Sequence, residues 1–430
     1  MGTGMDQDTI GKSWHRPSRH HGAGAPTPDE PAALQAFEPS LAAAQARIAA
    51  VDPAAYARSR NALDGAVTGL SPYITHGFVS LAEVLAGVQQ RHALEVQHKL
   101  VFELGWRAYF RHVWQHRGEA IFDSLHEGPL PDSAYARELP ADVRQACTGV
   151  PVIDQAVRTL YQTGLLHNHA RMWLASYLVH VRKIHWRTGA DWLYGYLLDG
   201  DLASNHLSWQ WVAGTGSRKP YLFNADNVAR YAPPPWHSPG TVIDVSYEAL
   251  DQLARQPQPA PQPVAAARPD ATEAPALLPA PPLGVQVNAP DASLVQNHEV
   301  WLVHPWSLGE LPADLAPDTL VIGLWLQDFH RAWPWSERRW RFVAARMAEL
   351  GALMWWGDAA AVRQALAGAR RVRCRAEPHL QAWLSRWAEC LPEPELFPEV
   401  SPCCASFSAW WTCSTRSLAM ADDLFSRPPR

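Results

Sequence analysis

The sequence has little of several things that would otherwise set its class. No apolar run reaches 18 residues, which excludes an ordinary transmembrane helix. Basic residues are not in excess: 37 Lys and Arg stand against 42 Asp and Glu, for a net charge of −5. Bulk charge therefore does not mark a nucleic-acid binder. Residues 51–250 hold 17 Lys/Arg and 18 Asp/Glu, so any DNA surface there has to be a local patch. Twelve of the 19 histidines fall in that same span and add positive charge in mild acid. The six cysteines (147, 374, 390, 403, 404 and 413) form no CxxC pair, which excludes a disulfide framework and suits a reducing compartment. No GxGxxG occurs, against a nicotinamide site. Residues 1–33 are rich in Gly, Pro and His and lack an apolar core, so they read as a disordered tail and not a signal peptide. The expected location is cytoplasmic, with no membrane partner.

What the chain does have is tryptophan, 21 of its 430 residues, and one unusual run, DGDLASNHLSWQWVAGTG from Asp199 to Gly216. Asp199, Asp201, Ser204 and Asn205 lie within seven residues, just ahead of Trp209 and Trp211. Burying that many polar groups beside two indoles is unfavourable unless they meet a ligand. Upstream, residues 34–50 are alanine-rich with helical spacing, and Asp64-Gly65 and Ser71-Pro72 mark turns. The segment FELGWRAYFRHVWQH has two helical stripes: Phe102, Trp106, Phe110 and Val113 form one, and Glu103, Arg107 and Arg111 the other. Glu103 and Trp106, three apart, emerge on one face. His112 and His116 have a spacing compatible with zinc, but no third ligand is apparent nearby, so they read as packing or phosphate contacts and no metal is expected.

Nine of the 26 residues from Pro257 to Pro282 are proline, which reads as an extended, semi-rigid linker with no core of its own. Beyond it, Val300–Val303 and Leu320–Leu326 read as buried strands, Glu337–Leu350 as an amphipathic helix capped near Trp335-Ser336, Ala352–Asp358 as a strand and turn, and residues 359–367 as a helix. This alternation implies a small α/β domain with a parallel sheet.

Taken together, the run DGDLASNHLSWQWVAGTG, the segment GVPVIDQAVRTLYQTGLLHNHARM, the FELGWRAYFRH helix and the turn TGLSPY resemble the FAD-binding core of the photolyase/cryptochrome family, closest to the cyclobutane pyrimidine dimer photolyases. The late segment SERRWRFVAARMAELGALMWWGD is similar to part of that family's amino-terminal α/β domain, which here would follow the flavin domain. The resemblance implies a mainly α fold: a helical FAD-binding domain over 34–250, a Pro/Ala-rich linker over 251–295, a small Rossmann-like α/β domain over 296–390, and a tail over 391–430 without a reading.

It also implies residue roles. Tyr56, Thr68, Leu70 and Ser71 would wrap the FAD pyrophosphate; Val67 and Gly69 stand where the family often has threonine and arginine. Arg171, Asp199, Gly200, Asp201 and Asn205 would hold the flavin, with Asn205 at its N5, and Arg171 would pair with an acidic neighbour. Glu103, Trp106, Asn168, Met172 and Trp211 would line a pocket for the dimer. Arg107, Tyr109, Phe110, Arg111, His169, Arg218 and Lys219 would meet DNA, with Arg230 placed for a further phosphate contact. Trp209 and Trp186 would relay electrons to the flavin, leaving through a tyrosine such as Tyr135 or Tyr161, since no tryptophan lies between Trp114 and Trp173. The implied activity is blue-light-driven repair of UV-damaged DNA by a monomeric protein, with a repair-inactive photoreceptor as the rival. The cysteine pattern sets aside the iron–sulfur branch of the family, and the antenna chromophore is unknown.

Overall fold

The structure, a computed structural model, describes residues 37–258 and 271–426. The expected tail over 1–33 and residues 259–270 of the linker lie outside the described residues. The first part is helical. It contains α1 (Leu41–Ala50), α2 (Pro53–Ser59), α3 (Ser71–Thr75), α4 (Leu81–Gln89), α5 (Lys99–Arg117), α6 (Pro151–Thr163), α7 (Asn168–Ser176), α8 (Trp186–Tyr196), α9 (Leu202–Ala213), α10 (Ala225–Tyr231) and α11 (Tyr247–Ala254).

The run singled out in the sequence makes α9. Asp201 caps it, its side chain accepting from the Ser204 N–H, and Gly214 ends it in the left-handed conformation with φ 79°. Residues on every side of α9 are buried, Leu202, His206, Trp209 and Val212 among them, so this is a central helix and not a surface one. It packs against α5, α7 and α8.

The later part contains β1 (Leu277–Leu278), β2 (Glu299–Val303), β3 (Leu320–Leu326), β4 (Trp335–Ser336), α12 (Glu337–Glu349), β5 (Leu353–Gly357), α13 (Ala359–Leu366), β6 (Arg371–Arg375), β7 (Glu389–Leu391) and α14 (Phe407–Ser414). Five of the strands form a parallel sheet in the order β5-β3-β2-β6-β7, with Leu302 opposite Ile322 on one side and Cys374 on the other. The order reverses at β2/β6, as in open doubly wound sheets. Helices on the faces bury Trp301, Trp325 and Trp355, which is why these strands read as continuous apolar runs.

The two parts share one apolar cluster. The imidazole nitrogens of His76, just after α3, face the carbonyls of Leu198 and Pro305, at 2.9 and 2.6 Å. Arg339 of α12, fully buried, donates to the Gly200 carbonyl and lies over the Trp335 ring at 3.9 Å. Its Nε and Nη1 have no hydrogen-bond partner, so the aromatic faces of Trp335 and Tyr194 are what offset burial of the charge.

The linker expectation needs correction over its described residues. Helix α11 runs on to Ala254. From residue 271 the chain is strapped to the body: Thr272 donates to Gln145, Pro275 accepts from the Tyr196 hydroxyl, and Leu277-Leu278 pairs antiparallel with Ser336-Trp335. Prolines suit such a strap because an extended strand bonded on one edge does not use their missing N–H. The segment after residue 391 is structured as well. Leu396, Phe397 and Val400 are buried, and α14 lies on α5, where Gly105 leaves room for the Trp411 ring; a Cβ there would come within 2.4 Å of it.

Candidate functional site

A polar network joins α3, α5, α7 and the loop before α9. The Arg171 guanidinium grips Asp199 with both carboxylate oxygens, at 2.7 and 2.9 Å. The Thr75 hydroxyl donates to the Asp199 carbonyl at 3.1 Å and accepts from Arg107 at 2.7 Å. Burial works to raise the Asp199 pKa, but Arg171, Ser71 and Arg107 outweigh it and hold the carboxylate below its ordinary range. Asp201 is likewise raised by burial and lowered further by the charges of Arg107 and Arg111 and by the Ser204 N–H, so it too is ionised.

Two buried polar atoms of this network have no partner: Asp201 Oδ2 and Ser204 Oγ. A buried carboxylate oxygen left unpaired is costly, and it fits a site whose ligand supplies the missing donor. One turn further along α9, the Asn205 amide donates to the Ala190 carbonyl, and Trp209 packs on Gly189 so closely that a Cβ there would sit 2.4 Å from the indole. Gly200 has a packing role that its neighbours in sequence did not suggest. A Cβ at Gly200 would lie 2.6 Å from Arg339 Nη1, so the glycine opens the way for that arginine.

The loop ahead of α3 brings Thr68, Leu70 and Ser71 together, with the Thr68 hydroxyl accepting from the Leu70 N–H. Gly69 is left-handed at φ +60°, and the guanidinium of Arg47 from α1 stands 2.5 Å from where its Cβ would be. An arginine from a different helix thus stands against this loop, and no spacing rule within the loop could have marked it. Arg60 was missed for the same reason. It faces Glu103 at 3.6 Å, while its backbone carbonyl bonds His167 and that of the adjacent Asn61 bonds His169, both at the start of α7. Beside them, Asn168 contacts the Met172 sulfur at 3.6 Å. Tyr56 belongs to the same corner, where Glu103 and Arg60 act on its hydroxyl.

Several residues expected at a DNA surface are used internally. Arg111 pairs with the buried Glu377 at 3.1 Å, and Arg107 faces the Asp199–Asp201 loop. Tyr109 and His169 are buried, the former reaching the Cys404 carbonyl. Arg218 and Lys219 are exposed. Trp106 is half-buried and one face is taken: Phe407 of α14 stacks on it at 4.0 Å and 9°. A base can use only the other face. Trp211 is half-buried against Tyr221.

Trp209 and Trp186 are both buried, on adjacent helices. Trp186 donates to Ser124 and lies 5.7 Å from the His185 ring, which is 6.4 Å from Tyr135. Tyr161 instead groups with Trp192 and Tyr196. A cavity of about 960 Å³ opens between α5 and the carboxyl end of the sheet, lined in part by Arg107, Arg111, Leu202, Glu377 and His379. It borders the Asp201 end of the network; Asn205 and Ser71 are not among its lining residues.

Residues 100–233 match a family described as the FAD binding domain of DNA photolyase. The chain is 36% identical over 152 residues to a deoxyribodipyrimidine photo-lyase of Streptomyces griseus, covering 35% of this chain and 33% of that one. It is 34% identical over 172 residues to a cryptochrome DASH of Synechocystis sp., covering 38% of this chain and 35% of that one. Among solved structures it is similar to a Synechocystis cryptochrome, with a TM-score of 0.43 and 28% identity over 53% of this chain and 54% of that one. The chain spans about a third of the length of the curated relatives it matches, 33% and 37% for two of them.

Proposed function

Taking residues 100–233 as a FAD-binding domain of the photolyase/cryptochrome family, with FAD as its cofactor, we propose that the protein repairs cyclobutane pyrimidine dimers in DNA under blue light, as a deoxyribodipyrimidine photo-lyase. The observation that carries the reading is the convergence at Arg60. Its side chain faces Glu103 and its carbonyl anchors the turn that starts α7, so Glu103 and the Asn168–Met172 pair border one corner beside the Arg171–Asp199 network. A carboxylate, an amide and a thioether at one edge of a flavin site suit two joined pyrimidines, polar at their edges and apolar on their faces.

The chemistry that FAD would supply here, once reduced and excited by blue light, is an electron lent to the dimer for ring opening and regained afterwards, with no net redox change. The chain's own residues bind, orient and shield. The unpartnered Asp201 carboxylate oxygen and Ser204 hydroxyl would accept from and donate to the cofactor, and Asn205 would help to hold its ring system. The backbone N–H groups of Thr68, Gly69 and Ser71, with Tyr56 and Arg47, would meet the pyrophosphate, as donors at a loop entering a helix do. Glu103 and Asn168 hold the lesion's polar edges, while Met172, Trp211 and the free face of Trp106 cover its rings. Trp209 and Trp186 pass an oxidising hole outward, with Tyr135 as the exit on the Trp186 side. The exposed Arg218 and Lys219 supply phosphate contacts at the DNA.

A second reading, a photoreceptor without repair, is favoured by two observations: Phe407 covers one face of Trp106, and Arg111 is engaged by Glu377. Illumination of the FAD-loaded, fully reduced protein with a dimer-containing oligonucleotide decides between them. Restored thymines in light and none in darkness are expected. No repair by protein that retains its flavin would overturn the repair reading in favour of the sensor.

A further inference from the structure

The sequence offered two histidines of a metal site and no third ligand. The fold supplies one. His112 and His116 lie one turn apart at the carboxyl end of α5, and the loop before α14 lays Cys403 beside them. One ligand atom from each of the three lies within 4.8 Å of the other two. We propose that His112, His116 and Cys403 form a zinc-binding site that ties the loop before α14 to the end of α5.

The donor set suits the ion. Two imidazoles and a thiolate are ligands that zinc takes, whereas magnesium and calcium take oxygen. At bond lengths of about 2.0–2.3 Å a tetrahedral ion holds its ligand atoms roughly 3.3–3.8 Å apart, so the three need to close in by about 1 Å. His116 and Cys403 are exposed and have the freedom to do so. The His112 Nε2 accepts from the Cys404 N–H at 3.0 Å, so the neutral ring presents its lone pair there; zinc would take the place of that N–H, with Nδ1 keeping the proton. The two ring nitrogens of His116 face the carbonyls of His112 and Ser401, at 2.9 and 2.8 Å. Whichever nitrogen binds the ion, the other keeps a carbonyl acceptor, the usual outer partner of a ligating histidine. Water completes the fourth position, and the three protein ligands would pin the segment that places Phe407 over Trp106.

The full chain, purified without an affinity tag or chelator, should carry one zinc per chain by elemental analysis. After stripping, it should rebind zinc in competition with a chromophoric chelator, and cobalt(II) should give a thiolate-to-cobalt absorption band. Cys403→Ser and His116→Gln, both at exposed positions, should each weaken zinc binding by roughly 10–100-fold or more, the range seen when even an outer partner is lost. Flavin content of both variants should stay at the wild-type level. No stoichiometric zinc in the wild type, zinc retained at wild-type affinity in both variants, or cobalt binding without a thiolate band would each overturn the proposal.

Discussion

Replacing Asp201 separates three jobs that one carboxylate performs. It caps α9 through Ser204, it balances the charges of Arg107 and Arg111, and in the function proposed above its unpartnered Oδ2 accepts from the cofactor. Asparagine caps a helix about as well as aspartate, so Asp201→Asn removes the charge and keeps the cap. Loss of a charged partner from buried donors costs about 1–3 kcal/mol, so the cofactor-free protein should be destabilised by that amount. Asp201→Ala loses the cap as well and should cost about 1 kcal/mol more. In both variants the stabilisation that FAD brings should vanish; with the cofactor at 100 times its dissociation constant that is about 2.7 kcal/mol. Urea unfolding with and without FAD, together with the flavin absorbance kept after gel filtration, reads all three contributions. If Asp201→Asn retains flavin at wild-type affinity, Oδ2 does not face the cofactor. If Asn and Ala variants are equally stable without FAD, the cap contributes nothing and the reasoning about α9 fails.

Two further outcomes follow from the same structure. Gly189→Ala places a Cβ 2.4 Å from the Trp209 ring, which is 3% exposed and has no open side to move into; overpacking should cost about 1–3 kcal/mol and slow flavin photoreduction, and wild-type melting with wild-type photoreduction would remove Trp209 from its place against α8. Two buried histidines make the fold sensitive to acid: burial lowers His180 to about 4 and, with Arg339 nearby, lowers His330 well below its ordinary value. The unfolded chain therefore takes up protons first, so stability is intact above about pH 6.5 and falls as pH drops toward 4, by up to about 1.4 kcal/mol per pH unit for each histidine. Unfolding free energies that do not change between pH 7 and 5 would contradict this.

Much of the helical half was legible because periodicity, caps and motif spacing are local. Helix α5 with its two stripes, the Asp199–Gly216 run and the strands β2 and β3 all announced themselves that way. The misses share one cause, contacts between residues distant in sequence. Arg47, Arg60 and Arg339 act on loops from other elements, and nothing in their own neighbourhoods marks them. Tyr109, Arg111 and His169 looked like surface groups because their partners (Cys404, Glu377 and Asn61) lie elsewhere in the chain. Strand β6 reads RVRCR, and its arginines hid it: Arg373 is buried against Asp314 and Glu299, and Arg371 pairs with Glu389. The proline-rich strap was set aside for composition, although Leu277 and Leu278 were enough to seat it on β4.

The reach of Arg339 to the Gly200 carbonyl, and of His379 to the Leu202 N–H, has a consequence for biosynthesis. The loop and first turn of α9 leave the ribosome long before the residues that fasten them. At about 5–20 residues per second the interval from the end of α9 to His379 is roughly ten to thirty seconds. During that time Asp199–Leu202 lacks two of its anchors, and the nascent chain presents Tyr194, Leu198 and His76 to solvent or to a chaperone. The loop has its full set of anchors only once residues 339–379 have been made. A transcript truncated near residue 258 should yield a helical protein that samples this loop and does not hold it.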